Sequence, residues 1–129
     1  MPFLFYSFAK KTVINSNDIF SISSKKEFEK IALKVFRFQF DNNTVYKEFC
    51  TLLNKNKENV KSLIEIPFLP IQFFKSHEVL SSSGAIHVTF TSSGTTGAQT
   101  SKHFVTDLSL YEQSYRNAFS EFYGNIEDY

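Results

Sequence analysis

The chain has 129 residues, with 14 Lys and Arg against 13 Asp and Glu and a formal net charge of +1. That is one domain's worth of sequence, and scattered basic residues exclude the charged stripe of a nucleic-acid binder or a polybasic membrane anchor. Hydrophobic residues make up 42%, enough for a core, and 16 Phe and 6 Tyr with no Trp fit either a Phe-rich core or apolar faces that meet a partner domain.

Residues 2–9 are apolar but lack a basic leader and are too short to span a bilayer, so neither a signal peptide nor a membrane span is expected. Lys10-Lys11 and Lys25-Lys26 read as solvated surface. Ser24-Lys25-Lys26-Glu27 has capping-box spacing, and Phe28, Ile31, Leu33, Val35 and Phe36 follow at helical intervals, predicting a helix over 25–38. Asp41-Asn42-Asn43 breaks it. Thr44 is expected to cap a second helix reaching about Asn54, with Val45, Phe49, Leu52 and Leu53 on its buried side. The single cysteine, Cys50, falls in the apolar pattern Tyr46, Phe49, Cys50, Leu53, which predicts a buried helix residue rather than a nucleophile. It cannot form an internal disulfide, in keeping with a reducing cytoplasm. Lys55 to Lys61 reads as a polar connection. Pro67 and Pro70 forbid a regular helix over 64–74 and favour an extended apolar path.

Ser81-Ser82-Ser83-Gly84 reads as a turn, and the alternation of Ile86, Val88 and Phe90 predicts a strand over 85–91. A second strand is expected over 102–105. Thr106 or Asp107 can start a last helix, with Ser109-Leu110-Tyr111-Glu112 as a second capping-box candidate and Leu108, Tyr111, Ala118, Phe119 and Phe122 on one face. Gly124-Asn125 ends it. The predicted class is α+β: a mainly helical stretch over 1–80, then a β-hairpin and a helix over 81–129.

Between the strands, Ser92 to Gly97 carries four hydroxyls and two glycines and almost nothing apolar to bury. Such a loop can turn its backbone N–H groups and hydroxyls onto an anionic oxygen cluster, because glycine permits close approach and positive φ. A plain turn is the other reading of the same composition. The ordinary nucleotide loop, Gly-x-x-x-x-Gly-Lys-[Ser/Thr], does not occur.

Ser92-Ser93-Gly94-Thr95-Thr96-Gly97 resembles the phosphate-binding signature of the adenylate-forming, or acyl-activating, enzyme superfamily, Thr-Ser-Gly-Thr-Thr-Gly-x-Pro-Lys-Gly. Ser92 stands where Thr is commoner, Gln99 replaces the proline, Thr100 the lysine and Ser101 the last glycine. The exchange of lysine for threonine resembles the phenylacetate–CoA ligase branch. Ile66-Pro-Phe-Leu-Pro-Ile-Gln-Phe-Phe-Lys75 and Thr106-Asp-Leu-Ser-Leu-Tyr111 resemble another branch more closely, the acyl-protein synthetase of the bacterial bioluminescence fatty-acid reductase complex.

The resemblance implies that Ser92, Ser93, Gly94, Thr95, Thr96 and Gly97 hold the β- and γ-phosphates of ATP, with Thr100 and Lys102 as weaker candidates. It further implies a cytoplasmic ligase that joins ATP and a carboxylic acid, above all a fatty acid, into an acyl-adenylate for transfer to a thiol, with Mg²⁺ as cofactor and an acyl-acceptor protein or carrier as a possible partner. It covers the start of such an enzyme, as the N-terminal segment of a larger α/β domain. The superfamily's adenine-binding, ribose-binding and late lysine motifs do not follow within the chain, so the segment alone is expected to be inactive.

His77, His87, His103 and Cys50 share no metal-ligand spacing, so no zinc site is expected. His87 is expected on a strand face opposite Ile86 and Val88. Lys102 and His103 lie just past the loop, where a cation could meet triphosphate oxygens or simply be solvated. Without Gly-x-Ser-x-Gly, a serine-hydrolase reading of Ser93, Thr95 and Thr96 fails. The alternative of another class is a non-catalytic interaction module whose loop is structural.

Overall fold

The computed structural model describes residues 14–81, 83–93 and 99–129. Internal contacts divide the chain into a first unit ending at Phe68 and a second running from Leu69 to Tyr129.

In the first unit, α1 (Ser16–Phe20) is capped by Asn15, whose side chain accepts from the Asn17 N–H at 2.9 Å; this short helix has no apolar periodicity to announce it. The longer α2 (Lys25–Asn42) begins as the spacing predicts: the Ser24 hydroxyl accepts from the Glu27 N–H at 3.2 Å. The returning bond is shifted by one residue, because Glu27 accepts from the backbone N–H and hydroxyl of Ser23, both at 2.9 Å. Those donors hold the Glu27 carboxyl below the usual range.

The break comes at a single residue. Asn43 closes α2 by donating its N–H to the Gln39 carbonyl at 2.8 Å, and its side chain accepts from the Tyr46 N–H at 3.0 Å to open α3 (Thr44–Leu52). Thr44 is therefore not the cap that the sequence suggested. Asn43 has the side-chain acceptor and the extended backbone a cap requires, while Thr44 is already helical. Helix α3 also stops two residues short of Asn54, which takes a positive φ of 55°, a conformation asparagine tolerates.

Helices α2 and α3 pack on a small centre of Phe36, Tyr46, Cys50 and Val60. Phe36 meets the Tyr46 ring edge-on, with centroids 6.2 Å apart. The Tyr46 hydroxyl donates to the Pro67 carbonyl at 2.6 Å. Leu52 and Leu53, expected on the buried side, are instead exposed at 83% and 50%, since the helix ends there and the chain turns away. A 3₁₀ turn at Leu63–Glu65 is tied to α2 by the Leu63 N–H, which donates to Glu29 at 3.1 Å.

The second unit starts with α4 (Phe73–Ser76). The path predicted to be extended over 64–74 therefore has helical turns at both ends, and its prolines, Pro67 and Pro70, lie outside them. Strands β1 (Val88–Thr91) and β2 (Lys102–Val105) pair antiparallel, Val88 opposite Val105 and Thr91 opposite Lys102. β1 begins three residues later than the alternation suggested, because its partner is only four residues long. Before it, the exposed His87 still donates its N–H to the Val105 carbonyl at 2.9 Å. Helix α5 (Leu108–Tyr123) is capped by Asp107, which accepts from the Ser109 and Leu110 N–H groups at 3.0 and 3.4 Å. The Ser109–Glu112 candidate does not open the helix. Gly124 ends it at φ +88°, donating its N–H to the Ser120 carbonyl. The order is the one predicted: a helical first half, an antiparallel hairpin and a C-terminal helix. Among the described residues no helix is long and apolar enough to cross a membrane.

Candidate functional site

Strands β1 and β2 part at Thr91 and Lys102 and lead into the segment 92–101, the loop bounds expected from sequence. Its base is closed by a reciprocal pair of serines. The Ser92 N–H donates to the Ser101 carbonyl at 3.1 Å, and the Ser101 N–H donates to the Ser92 hydroxyl at 3.0 Å. Ser101 is 5% exposed and its backbone groups are paired with Ser92, as a buried polar residue requires. The Ser92 oxygen is thus an acceptor within the neck, and its own proton can still be donated outward.

Of the residues singled out from sequence, Ser92 and Ser93 lie exposed on the outgoing arm, and Thr100, half-buried, and Lys102, exposed, lie on the returning one. Gly94, Thr95, Thr96 and Gly97 lie outside the described residues.

The returning arm is docked. Gln99, at the signature's proline position, donates its side-chain amide to the Lys75 carbonyl of α4 at 2.6 Å. Phe74, one residue earlier on α4, stacks on His103 with centroids 4.6 Å apart and planes 22° apart. His103 also contacts the Ser101 hydroxyl through Nε2 at 3.3 Å, so it is part of the neck's support. On α5, Tyr111 meets Phe90 of β1 at 5.0 Å. The hairpin is therefore braced by both flanking stretches that carried the resemblance, through Phe74 and Lys75 on one side and Tyr111 on the other.

Helix α4 and the returning arm enclose an open cleft of about 330 Å³, with Lys75, Thr100, Lys102 and Phe104 among its walls. Gln99 and Lys75 are the functional candidates that sequence reasoning passed over. Gln99 was visible as a departure from the signature, but its partner 24 residues upstream was not.

Elsewhere the candidates recede. Cys50 is wholly buried, and burial pushes its thiol above the usual range, only partly offset by the Tyr46 hydrogen bond. His77 stacks on Phe73 at 5.1 Å and shares a 2.8 Å hydrogen bond with Ser76. Among the described residues no group of three or more His, Cys, Asp or Glu side chains could hold a metal ion.

A model of the family described as acyl-protein synthetase, LuxE, matches residues 7–114, a span that includes the hairpin and both stretches bracing it. No curated protein and no solved structure matches the chain.

Proposed function

Because the chain belongs to the acyl-protein synthetase (LuxE) family, we propose that it carries the nucleotide-phosphate loop of an adenylate-forming ligase. In this reading a carboxylate oxygen, of a fatty acid by preference, attacks the α-phosphorus of ATP. The bond to the β-phosphate oxygen breaks, pyrophosphate leaves, and the acyl group passes from AMP to a thiol on an acceptor protein or carrier. Ser92, Ser93, Gly94, Thr95, Thr96 and Gly97 donate to the phosphate oxygens, aided by Thr100 and Lys102. Donors fixed before the reaction stabilise negative charge as it grows on the leaving pyrophosphate.

The observation that carries this reading is the bracing of the segment's returning arm. A plain turn needs no outside support, whereas donors aimed at a transition state must be held still. The serine neck, the Gln99–Lys75 bond and the Phe74–His103 stack provide that support. A Mg²⁺ ion brought by the nucleotide would draw most of its ligands from phosphate and water and would supply charge neutralisation there, asking little of the protein's own carboxylates.

The test is ATP–pyrophosphate exchange with fatty acids in the complete gene product, comparing wild type with the Thr95→Ala, Thr96→Ala double variant. Each lost donor is expected to cost about 2–4 kcal/mol in the transition state, seen as a fall in kcat/KM for ATP with little change in melting temperature. The 129-residue chain alone is expected to show no exchange. Wild-type kinetics with an unchanged melt would make the loop a turn. That outcome favours the interaction-module reading, which draws on the exposure of Phe122 at 79% and Tyr123 at 66%.

A further inference from the structure

The superfamily signature places a lysine where this chain has Thr100. A hydroxyl can donate one hydrogen bond to a phosphate oxygen but cannot neutralise it. A triphosphate carries several negative charges, and the loop's own donors are neutral. Beyond the charge that Mg²⁺ would offset, side-chain cations beside the loop would help to hold a polyphosphate, and two lysines line a cleft next to Thr100.

We propose that the cleft between α4 and the returning arm of the hairpin is a polyphosphate subsite in which Lys75 and Lys102 supply the positive charge that Thr100 cannot. The proposal rests on the ATP reading above and deepens it. Lys75 and Lys102 stand on different walls of one cleft, with the Thr100 hydroxyl between them in sequence and lining the same space. Both lysines are exposed. Among the described residues, ion pairs engage Lys34, Lys57 and Arg116, so neither cleft lysine is committed to a carboxylate. Glu78 is the one acidic residue lining the cleft, set against the two lysines, which leaves the lining positive.

Two further features suit an anion. The Gln99–Lys75 bond joins the two walls directly, so that an anion between them meets a fixed spacing and little ordering is left to pay for on binding. The walls also include Phe74 and Phe104, and apolar walls strengthen the attraction between a lysine and a phosphate by excluding water from one side. Lysine acts here as a flexible point charge, which suits a chain of phosphates that changes shape as pyrophosphate departs.

The experiment titrates inorganic tripolyphosphate and pyrophosphate into the 129-residue chain by calorimetry at two salt concentrations. The variants are Lys75→Gln, Lys102→Gln, their combination, Glu78→Gln, and Lys55→Gln as a charge control outside the cleft. The double variant is expected to bind tripolyphosphate at least about tenfold more weakly and with a shallower salt dependence, each single variant falling between. Glu78→Gln is expected to bind more tightly, and Lys55→Gln to match wild type. Exposed lysines contribute little to folding, and an unchanged melt confirms it. Equal weakening by Lys55→Gln, wild-type affinity in the double variant, or no binding by wild type would each overturn the subsite. The Thr95→Ala, Thr96→Ala variant separates the two readings: loss in the lysine variants with none in this one keeps the cleft and removes the loop, and the reverse pattern keeps the loop and removes the cleft.

Discussion

Among the described residues, the buried apolar side chains are Phe36, Tyr46, Cys50 and Val60, all in the first unit, whereas in the second the buried residue is Ser101, a hydroxyl at the neck of a loop. The first unit follows the usual economy of a small domain, in which two amphipathic helices remove rings and a thiol from water. The second holds its hairpin by ring pairs at the surface and by polar groups that satisfy one another. On the proposed function, the difference separates scaffold from site. A segment that must meet a charged ligand keeps its donors accessible, and its order has to come from hydrogen bonds and stacking at the periphery.

The sharpest way to break this comparison is to remove one ring from each unit. Phe36→Ala is expected to cost about 3–5 kcal/mol, as for a phenylalanine lost from a closed core. Phe90→Ala, at a ring 40% exposed, is expected to cost less than about 2 kcal/mol. Urea unfolding followed by circular dichroism measures both, and equal costs would mean that the second unit has a core after all.

Asn43→Ala comes next in size. It leaves the Tyr46 N–H without its acceptor in a buried place, an expected loss of about 1–2 kcal/mol. Asn43→Asp is expected to recover most of it at neutral pH, because the carboxylate can accept the same bond. A loss unrelieved by aspartate would assign the effect to the amide's other contact, its donation to the Gln39 side chain at 3.3 Å.

The smallest effect is a difference in pH response. Burial raises both the Cys50 thiol and the Tyr46 phenol above their usual values. Their contribution is complete below the pKa of the unfolded groups and is lost as pH climbs beyond about 8.5, where an unfolded thiol ionises. Glu27, Glu65 and Asp107 are lowered by hydrogen bonds from Ser23, Lys61 and Ser109 respectively. Their contribution is present above the unfolded carboxyl pKa and is lost as pH falls, so acid weakens both units. The alkaline limb belongs to the first. Cys50→Ala is expected to flatten the stability-against-pH slope above about pH 8.5, measured by denaturant midpoints; an unchanged slope would remove the thiol from that account.

Long apolar periodicity made the major elements readable. Helices α2, α3 and α5 and strand β2 occupy the stretches that the spacing of Phe36, Cys50, Leu108 and Val105 marked out. Helix α2 nevertheless runs on through Asp41 and Asn42, which were expected to break it, because the i to i−4 ladder continues until Asn43 caps it. What escaped was set by partners distant in sequence. Several polar residues in a row at 41–44 each qualify as a cap, and only the point where α2 runs out selects Asn43. The length of β1 depends on β2, and β2 is cut short because Asp107 begins a helix. Helices α1 and α4 are too short to show a period. The serines of the loop were legible as a group, yet the neck between Ser92 and Ser101, the clasp of Gln99 on Lys75 and the stack of Phe74 on His103 all required the fold.

The Tyr46–Pro67 bond also decides how the protein can be cut. Periodicity changes near residue 80, and a fragment beginning there would discard α4, stripping the Lys75 carbonyl from Gln99 and the Phe74 ring from His103. Division after Phe68 leaves the phenol of Tyr46 with its carbonyl on one piece and the clasp of Gln99 on the other. That phenylalanine is 81% exposed, and Pro70 shields the next bond from proteases that reject proline after the scissile residue. A chymotryptic cut after Phe68 would deliver a helical half and a hairpin half, each with its own fastenings whole.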